Sequence, residues 1–510
     1  MSLGQHGTSE GRREMSGLPQ AVLVRRGAYH DSVTLMRVSR ALSELPGVAA
    51  AMVAMATELN VSILREMGFT VPESDPGDLL IAVRAAGLDA AVEEAGRLLA
   101  ASHRPSGEYA ESAESGESGA QPPLTTRSAA ARGPAGLVLV STPGEYAFFE
   151  ALDAVEAGLP VMIFSDGVTL AAERRLKELA EARGVLVMGP DCGTAVIGGA
   201  GLGFANVLTP GPVGVVAASG TGAQQVTCLL DWAGVGVSHV LGVGGRDLSA
   251  EVGGLSTRRA LRLLDEDPAT ELIVLISKPP GAGAGSGAVA GAGSGAVAGA
   301  GSGAVAGGGA VAGGGAGAGG GAARSLAGEA LSTPLVPALL GPGAPDLTQA
   351  TEQVLRALGR PVPEWPCWPA RRGPRAAPKR IRGLYAGGTL SAEAAAVAGQ
   401  GEFTDFGDDA YTRGRAHPMI DPALRVEALA RAGDRDVVLM DVVLGHGADL
   451  DPAAVLAPAV ARTPATVVIS LIGTEGDPQD LHRQAAAFHE AGAAVFTSNA
   501  QAARHARSLL

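Results

Sequence analysis

A chain of 510 residues with 46% apolar content has room for about three domains with real cores, although aromatics are only 3% and alanine and glycine supply much of the rest. A net charge of −13 with no dense basic stripe argues against nucleic acid and against anionic membrane surfaces as partners. Three cysteines, Cys192, Cys228 and Cys367, match no zinc or redox spacing and make a poor disulfide framework, so a reducing cytoplasm is expected. Arg12 and Arg13 are followed by no apolar stretch of the signal-peptide kind, and no run approaches the ~20 apolar residues that span a bilayer.

In chain order, residues 1–18 are polar and Gly-rich and are expected to be a disordered lead. Residues 19–102 predict a small α/β domain, with strands over 21–25, 48–54 and 78–85 and helices over 32–43, 57–67 and 88–101. A Ser/Glu/Pro-rich linker is expected over 103–134. Over 135–210, strands at 137–141, 161–165 and 185–188 alternate with helices at 144–157 and 171–183. Apolar runs separated by amphipathic helices predict a parallel sheet covered on both faces. A second such unit, 211–360, opens with a strand at 213–217 and continues to Ile276. It is interrupted by a Gly/Ala insert over 281–323, in which GAGSGAVA occurs three times in succession. The insert reads as an exposed linker, a silk-like stack being the alternative. The unit resumes with a strand at 335–340 and a helix at 348–358. A Pro/Arg-rich linker over 361–380 leads to a last α/β domain, 381–510, with strands at 383–386, 437–442, 465–472 and 493–496.

Two Gly-rich turns carry the first candidate chemistry. Ser219-Gly220-Thr221-Gly222 lies between a strand and a helix, as does Gly387-Gly388-Thr389. Free N–H groups and the positive end of a helix dipole suit a phosphate or carboxylate there, and the glycines remove Cβ atoms that would block approach. The alternative is a β–α turn whose glycines serve only packing. Residues 405–421 are polar and dense in opposed charges. Within them Arg413 and Arg415 suit a carboxylate or phosphate grip and His417 suits proton transfer, or the segment is a solvated loop. Asp441 and His446 follow a strand, where open α/β sheets place ligands, although His446 alternatively only caps the turn. No metal motif is present, and no histidine neighbours Cys192 in sequence.

Several runs resemble the alpha subunit of succinyl-CoA synthetase: Gly189-Pro190-Asp191-Cys192-Gly193, Gly211-Pro212-Val213-Gly214-Val215-Val216, Ser219-Gly220-Thr221 and Gly242-Val243-Gly244-Gly245-Arg246-Asp247. Asp265-Glu266-Asp267-Pro268-Ala269-Thr270 ahead of an apolar strand fits the same template. The run from Tyr29 to Met36 (YHDSVTLM) and the run from Asp405 to Pro422 (DFGDDAYTRGRAHPMIDP) resemble the FdrA branch of that superfamily.

The resemblance implies an α/β, multidomain fold with Rossmann/flavodoxin-like parallel sheets of the succinyl-CoA synthetase type. Residues 135–210 would be CoA-binding-like and 211–360 ligase-like. It also implies a phosphohistidine in a loop after the second unit, but no histidine lies between His239 and His417. The family's glutamate that contacts the phosphohistidine falls at Gln225, whose neutral amide neither balances an imidazolium nor acts as a base. Some FdrA-like proteins are subunits of oxamate carbamoyltransferase, so the resemblance implies carbamoyl transfer within allantoin breakdown. Oxalurate and phosphate would give oxamate and carbamoyl phosphate, with companion subunits and no obligatory cofactor. CoA binding stays open. So do two rival readings: an acyl-CoA synthetase of unknown acid, and a non-catalytic CoA- or metabolite-binding scaffold.

Overall fold

The structure, a computed structural model, describes residues 18–102, 123–277 and 331–510, apart from 29, 31, 342, 372, 374–376, 413 and 414. The expected lead (but for residue 18), the first part of the first linker, the Gly/Ala insert and Arg413 lie outside the described residues. The chain divides into two compact units.

The first unit comprises Met1–Leu124 with Ser141–Pro143 and Asp408–Asp421. Its sheet is antiparallel in the order β1 (Gln20–Arg25), β3 (Leu79–Ala85), β2 (Val48–Met55). Side chains alternate across the central strand, as the two-residue strand period requires. Leu79, Ile81 and Val83 pack with α1 (Ser32–Ser43) and α3 (Leu88–Ser102), while Leu80 and Ala82 pack with Leu64 of α2 (Glu58–Glu66) and Phe69. Both faces are covered, which is why residues 79–83 read as one continuous apolar run.

The second unit holds everything else, in three sheets. After α4 (Thr126–Ala130), strands β4 (Val138–Val140), β5 (Val161–Ile163) and β6 (Val187–Met188) form a parallel sheet with α5 (Gly144–Glu156) and α6 (Leu170–Arg183). The next sheet has the order β12 (Leu335–Leu339), β11 (Leu272–Ser277), β9 (Pro210–Ala217), β10 (Val237–Gly242), β7 (Thr194–Ile197), β8 (Ala200–Gly203). Helices α7 (Gly220–Trp232), α8 (Leu255–Asp265) and α9 (Leu347–Ala357) belong to this half. The last sheet has the order β13 (Cys367–Trp368), β18 (Ala494–Phe496), β17 (Thr466–Ile472), β16 (Asp436–Val443), β14 (Arg380–Tyr385), β15 (Glu402–Asp405). Its helices are α10 (Gly388–Ala398), α12 (Ala423–Ala430), α13 (Pro452–Arg462), α14 (Leu481–Glu490) and α15 (Asn499–Ser508), while α11 (Asp409–Thr412) lies in the first unit.

Within each large sheet the parallel strands follow one winding. Counted in chain order inside its own half, β10-β9-β11-β12 is 2-1-3-4 and β15-β14-β16-β17-β18 is 2-1-3-4-5. This is the flavodoxin-like order, in which ligands bind beyond the carboxyl end of the first strand, where the winding reverses. The fold is therefore α/β with Rossmann/flavodoxin-like parallel sheets. Two additions depart from the sequence expectation. The β7–β8 hairpin pairs antiparallel with β10 and so joins the sheet of the following segment. Cys367–Trp368, in the expected second linker, pairs antiparallel with β18. Each covers a sheet edge whose backbone groups would otherwise lack partners. Among the described residues no helix is long and apolar enough to cross a membrane.

Candidate functional site

The first strand of each flavodoxin-like half ends in one of the two Gly-rich turns. After β9, Ser219 takes an extended conformation at the N-cap of α7, and its Oγ accepts the Gly222 N–H at 3.0 Å. After β14, Gly387 occupies the N-cap of α10 and has no side chain to cap with. The two helix starts meet: Ser219 Oγ donates to Thr389 Oγ1 at 2.6 Å.

The glycines make this approach feasible. A Cβ on Gly387 would stand 2.6 Å from Thr221 Oγ1, one on Gly222 2.8 Å from Ser219 Oγ, and one on Gly388 2.4 Å from Asp405 Oδ2. A Cβ on Gly220 would meet Thr194 Oγ1 at 3.2 Å, a tight but milder contact. Gly222 and Gly387 thus serve the packing of one helix start on the other. Gly220 and Thr221 stay half-buried, within reach of solvent. The result brings two half-positive helix ends to one place, and such ends attract an anion.

One of the two turns already has an anion. Asp441 was expected at an open rim, but it is fully buried inside β16. Its carboxylate accepts the Ala386 N–H at 2.7 Å and the Gly387 N–H at 3.0 Å. Arg425 of α12, also buried, donates to Asp441 Oδ1 at 3.1 Å and to its carbonyl at 2.6 Å. Burial raises the Asp441 pKa to about 6, against the pull of Arg425 and the two amides, with nearby Asp405 adding to the rise. The Gly387 turn is held by an internal carboxylate, whereas the side-chain partners of the Ser219 turn are hydroxyls.

His446 is exposed, and its backbone N–H donates to Ala205 carbonyl at 2.8 Å. Beside it lies Asp477, in the run 473–478 that follows β17. Asp477 accepts from Asn206 Nδ2 (2.7 Å), Val207 N (2.8 Å) and Thr474 N (2.8 Å). Burial raises its pKa against those bonds and the positive influence of His446. Gln225 is buried and committed to backbone, donating to Thr497 carbonyl at 3.1 Å and accepting the Asn499 N–H at 2.8 Å. The Arg246-Asp247 pair is taken up structurally. Asp247 accepts from buried Lys177 at 2.8 Å and from Ser256 N and Thr257 N at the start of α8, while Arg246 pairs with Glu173 at 2.9 Å. Cys192 is buried, and burial pushes its thiol up to about 12, far from a thiolate at neutral pH.

Arg415 and His417 lie in the first unit. Arg415 is exposed. His417 is half-buried; its Nδ1 accepts the Met419 N–H at 3.3 Å and its carbonyl accepts from Ile420 and Asp421. Arg413 is not among the described residues.

Known proteins resemble the chain in two segments and along its length. Residues 384–509, which contain the Gly387 turn, Asp441 and Asn499, match the CoA-ligase family. Residues 15–115 match the family described as AllF, heavy metal-associated domain. Uncharacterized protein YahF of Escherichia coli (strain K12) is 34% identical over 537 residues, covering 96% of this chain and 98% of that protein. The chain belongs to the YahF family.

More distant relatives include succinate–CoA ligase (ADP-forming) subunit alpha 2 of Archaeoglobus fulgidus, 29% identical over 28% of this chain and 50% of that subunit. Malate–CoA ligase subunit alpha of Methylorubrum extorquens is 28% identical over 26% of this chain and 45% of that subunit. The matched region thus spans about half the length of these ligase subunits. Together they put the YahF-family chain in the CoA-ligase-like acyl-CoA synthetase superfamily. Among solved structures, acetyl-coenzyme A synthetase 1 of Ca. Korarchaeum cryptofilum, in complex with phosphate and ADP, is 14% identical over 74% of this chain and 82% of that chain, with a TM-score of 0.28. Residues 15–115 contain no cysteine, and among the described residues no group of three His, Cys, Asp or Glu side chains is placed to hold an ion.

Proposed function

We propose that this chain is an FdrA-like subunit of a carbamoyl-transferring enzyme that uses phosphate, converting oxalurate and phosphate to oxamate and carbamoyl phosphate together with companion subunits. The observation that carries the reading is the meeting of two helix N-termini at Ser219 and Thr389. Two positive helix ends held this close repel one another, and a bound phosphate relieves that repulsion. Phosphate, or the phosphoryl end of carbamoyl phosphate, binds at the Ser219–Gly222 start, with the Gly220 and Thr221 amides and the Thr221 hydroxyl as donors. The Gly387–Thr389 start supports it from behind. Charge that develops on the transferring group is stabilised by these preorganised donors rather than by a covalent intermediate. Arg415 and His417, which lie in the first unit, are by residue type a carboxylate grip and a proton carrier. Asp441 acts by holding the Gly387 turn, and His446 acts by lowering the charge burden on Asp477.

Membership of the CoA-ligase superfamily favours a second reading, an acyl-CoA ligase subunit. Against it stand the histidine-free stretch between His239 and His417 and the commitment of Gln225 to Thr497 and Asn499. Incubating the full chain and its companion subunits with oxalurate and labelled phosphate separates the readings. Labelled carbamoyl phosphate is the expected product. Acid-labile label on a histidine after incubation with γ-labelled ATP would instead establish the ligase reading.

A further inference from the structure

Residues 408–421 belong to the first unit, and the chain re-enters the second unit at Pro422. Pro422 is the N-cap of α12, whose first turn carries Arg425, the partner of Asp441. The segment just ahead of that helix is held by α1. Helix α1 packs Leu35, Val38 and Leu42 into the core of the first unit, at the spacing of one helix face. Ser39 fixes it to the edge strand β2, where its Oγ accepts the Val53 N–H at 2.8 Å. Next to Ser39, Arg40 donates through Nε to Glu44 Oε1 at 2.9 Å, one helical turn on, and through Nη1 to the Ile420 carbonyl. Ile420 is buried, so its carbonyl needs a donor from within the protein.

The path from Ile420 to the Gly387 turn is short and stiff. The Ile420 and Asp421 N–H groups donate to His417 carbonyl at 2.7 and 3.0 Å. Pro422 follows, its φ limited by the ring, and its carbonyl accepts the Val426 N–H at 3.0 Å. A hydrogen-bonded turn thus runs straight into the helix that carries Arg425. Arg425 donates to Asp441, and Asp441 accepts the Ala386 and Gly387 N–H groups. We propose that Arg40 is a positioning residue for the Gly387 helix start: by holding the Ile420 carbonyl it keeps Arg425 on Asp441, and so keeps Asp441 on the two amides ahead of α10. Energetic coupling travels through hydrogen bonds and rigid elements in unbroken series, and each link from α1 to Gly387 is one or the other. Thr389 of α10 carries the contact to Ser219, so the bearing of Arg40 on phosphate rests on the function proposed above.

The Asp441 carboxyl reads out this series. It is fully buried in β16, between β14 and β17, wherever Arg425 stands. Burial raises its pKa to about 6, and the charge of Arg425 is the strongest influence in the other direction. Asp405 of β15 adds to the rise, and Tyr385 of β14 is a phenol that burial keeps neutral. Withdrawal of Arg425 leaves the burial and removes the opposing charge, so Asp441 then keeps its proton to higher pH.

Hydrogen exchange and carboxyl carbon-13 NMR on the full chain test the proposal without any ligand. Arg40→Gln keeps a helix-favouring polar residue but lacks the charge and the length to bridge Glu44 and Ile420. Protection of the Val426, Ala386 and Gly387 amides should fall together by about tenfold, the worth of roughly one hydrogen bond. Residues 79–85, in the centre of the first unit's sheet, should keep theirs, and the Asp441 titration should move to higher pH. Unchanged protection at Ala386 and Gly387 with a wild-type Asp441 titration would overturn the proposal, even if residues 417–426 loosen, because Arg40 would then only dock that segment. Arg40→Lys keeps the charge but not the planar pair of donors, and should show the same changes at smaller size. It decides the matter should Arg40→Gln fail to fold: wild-type behaviour at Gly387 and Asp441 would again overturn the proposal. Phosphate titration then reads the bearing on the anion site, and Arg40→Gln should bind phosphate more weakly than wild type. No phosphate binding by either protein, alongside the expected exchange and titration changes, would sink the anion site and leave the positioning role of Arg40 standing.

Discussion

The Ser219 turn and the Gly387 turn follow the central first strands of two sheets with the same winding, yet their polar groups are satisfied differently. At Ser219 a side-chain hydroxyl caps the helix and reaches across to Thr389. At Gly387 no side chain caps, and a buried Asp441–Arg425 pair takes two backbone amides just ahead of the helix. A repeated topology therefore yields one start sealed by the chain's own carboxylate and one whose hydroxyl and amide donors remain within reach of solvent. Repetition of a strand–turn–helix pattern does not imply repetition of a ligand site. What fills each turn depends on side chains that arrive from other strands.

The largest way to break this comparison is at Asp441. Asp441→Asn should cost about 3–5 kcal/mol in denaturant unfolding, because it leaves Arg425 charged and buried without its partner. A loss below 1 kcal/mol would mean that the carboxylate does not hold the turn. Gly387→Ala forces a Cβ to 2.6 Å from the Thr221 hydroxyl and should cost about 1–3 kcal/mol; equal stability would show that the helix starts have slack. Ser219→Ala removes the cap and the contact to Thr389, with an expected cost of about 1 kcal/mol.

A subtler comparison uses pH. The folded-state pKa values of Asp441 (about 6) and Glu393 (about 7) lie above their ordinary carboxylate values of 3.8 and 4.5. The folded chain therefore holds these protons more tightly than the unfolded chain, and each group makes stability fall as pH rises through that window. Relative to wild type, Glu393→Gln should lose the part of this decline that lies between about pH 4.5 and 7. Parallel stability curves for the two proteins would contradict the assignment.

Both helix starts are legible in the sequence, because an apolar run, a Gly-rich turn and a helical pattern occur in order at each. Their meeting is not, since 170 residues separate Ser219 from Thr389. The role of Asp441 is half-legible. A lone carboxylate inside Val437–Val443 calls for a buried partner, but no spacing rule points to Arg425. The β7–β8 hairpin escapes because its arms are four residues each and one of them, Ala200–Gly203, is half glycine. A hub at buried Asn499 escapes for another reason. An Asn beside a Ser N-cap reads as ordinary capping, and only folding brings Gln225, Leu390, Glu393 and Tyr385 around it.

Phosphate affinity in wild type and in Thr221→Val most directly tests whether the Ser219 start is the open one. The substitution keeps the side-chain shape over Gly387 and removes one hydroxyl donor at a half-buried position. Calorimetric titration should show phosphate binding weakened about tenfold or more, the usual worth of a hydrogen bond to a charged group, with unfolding stability little changed. Unaltered phosphate affinity in a folded Thr221→Val protein would contradict the account.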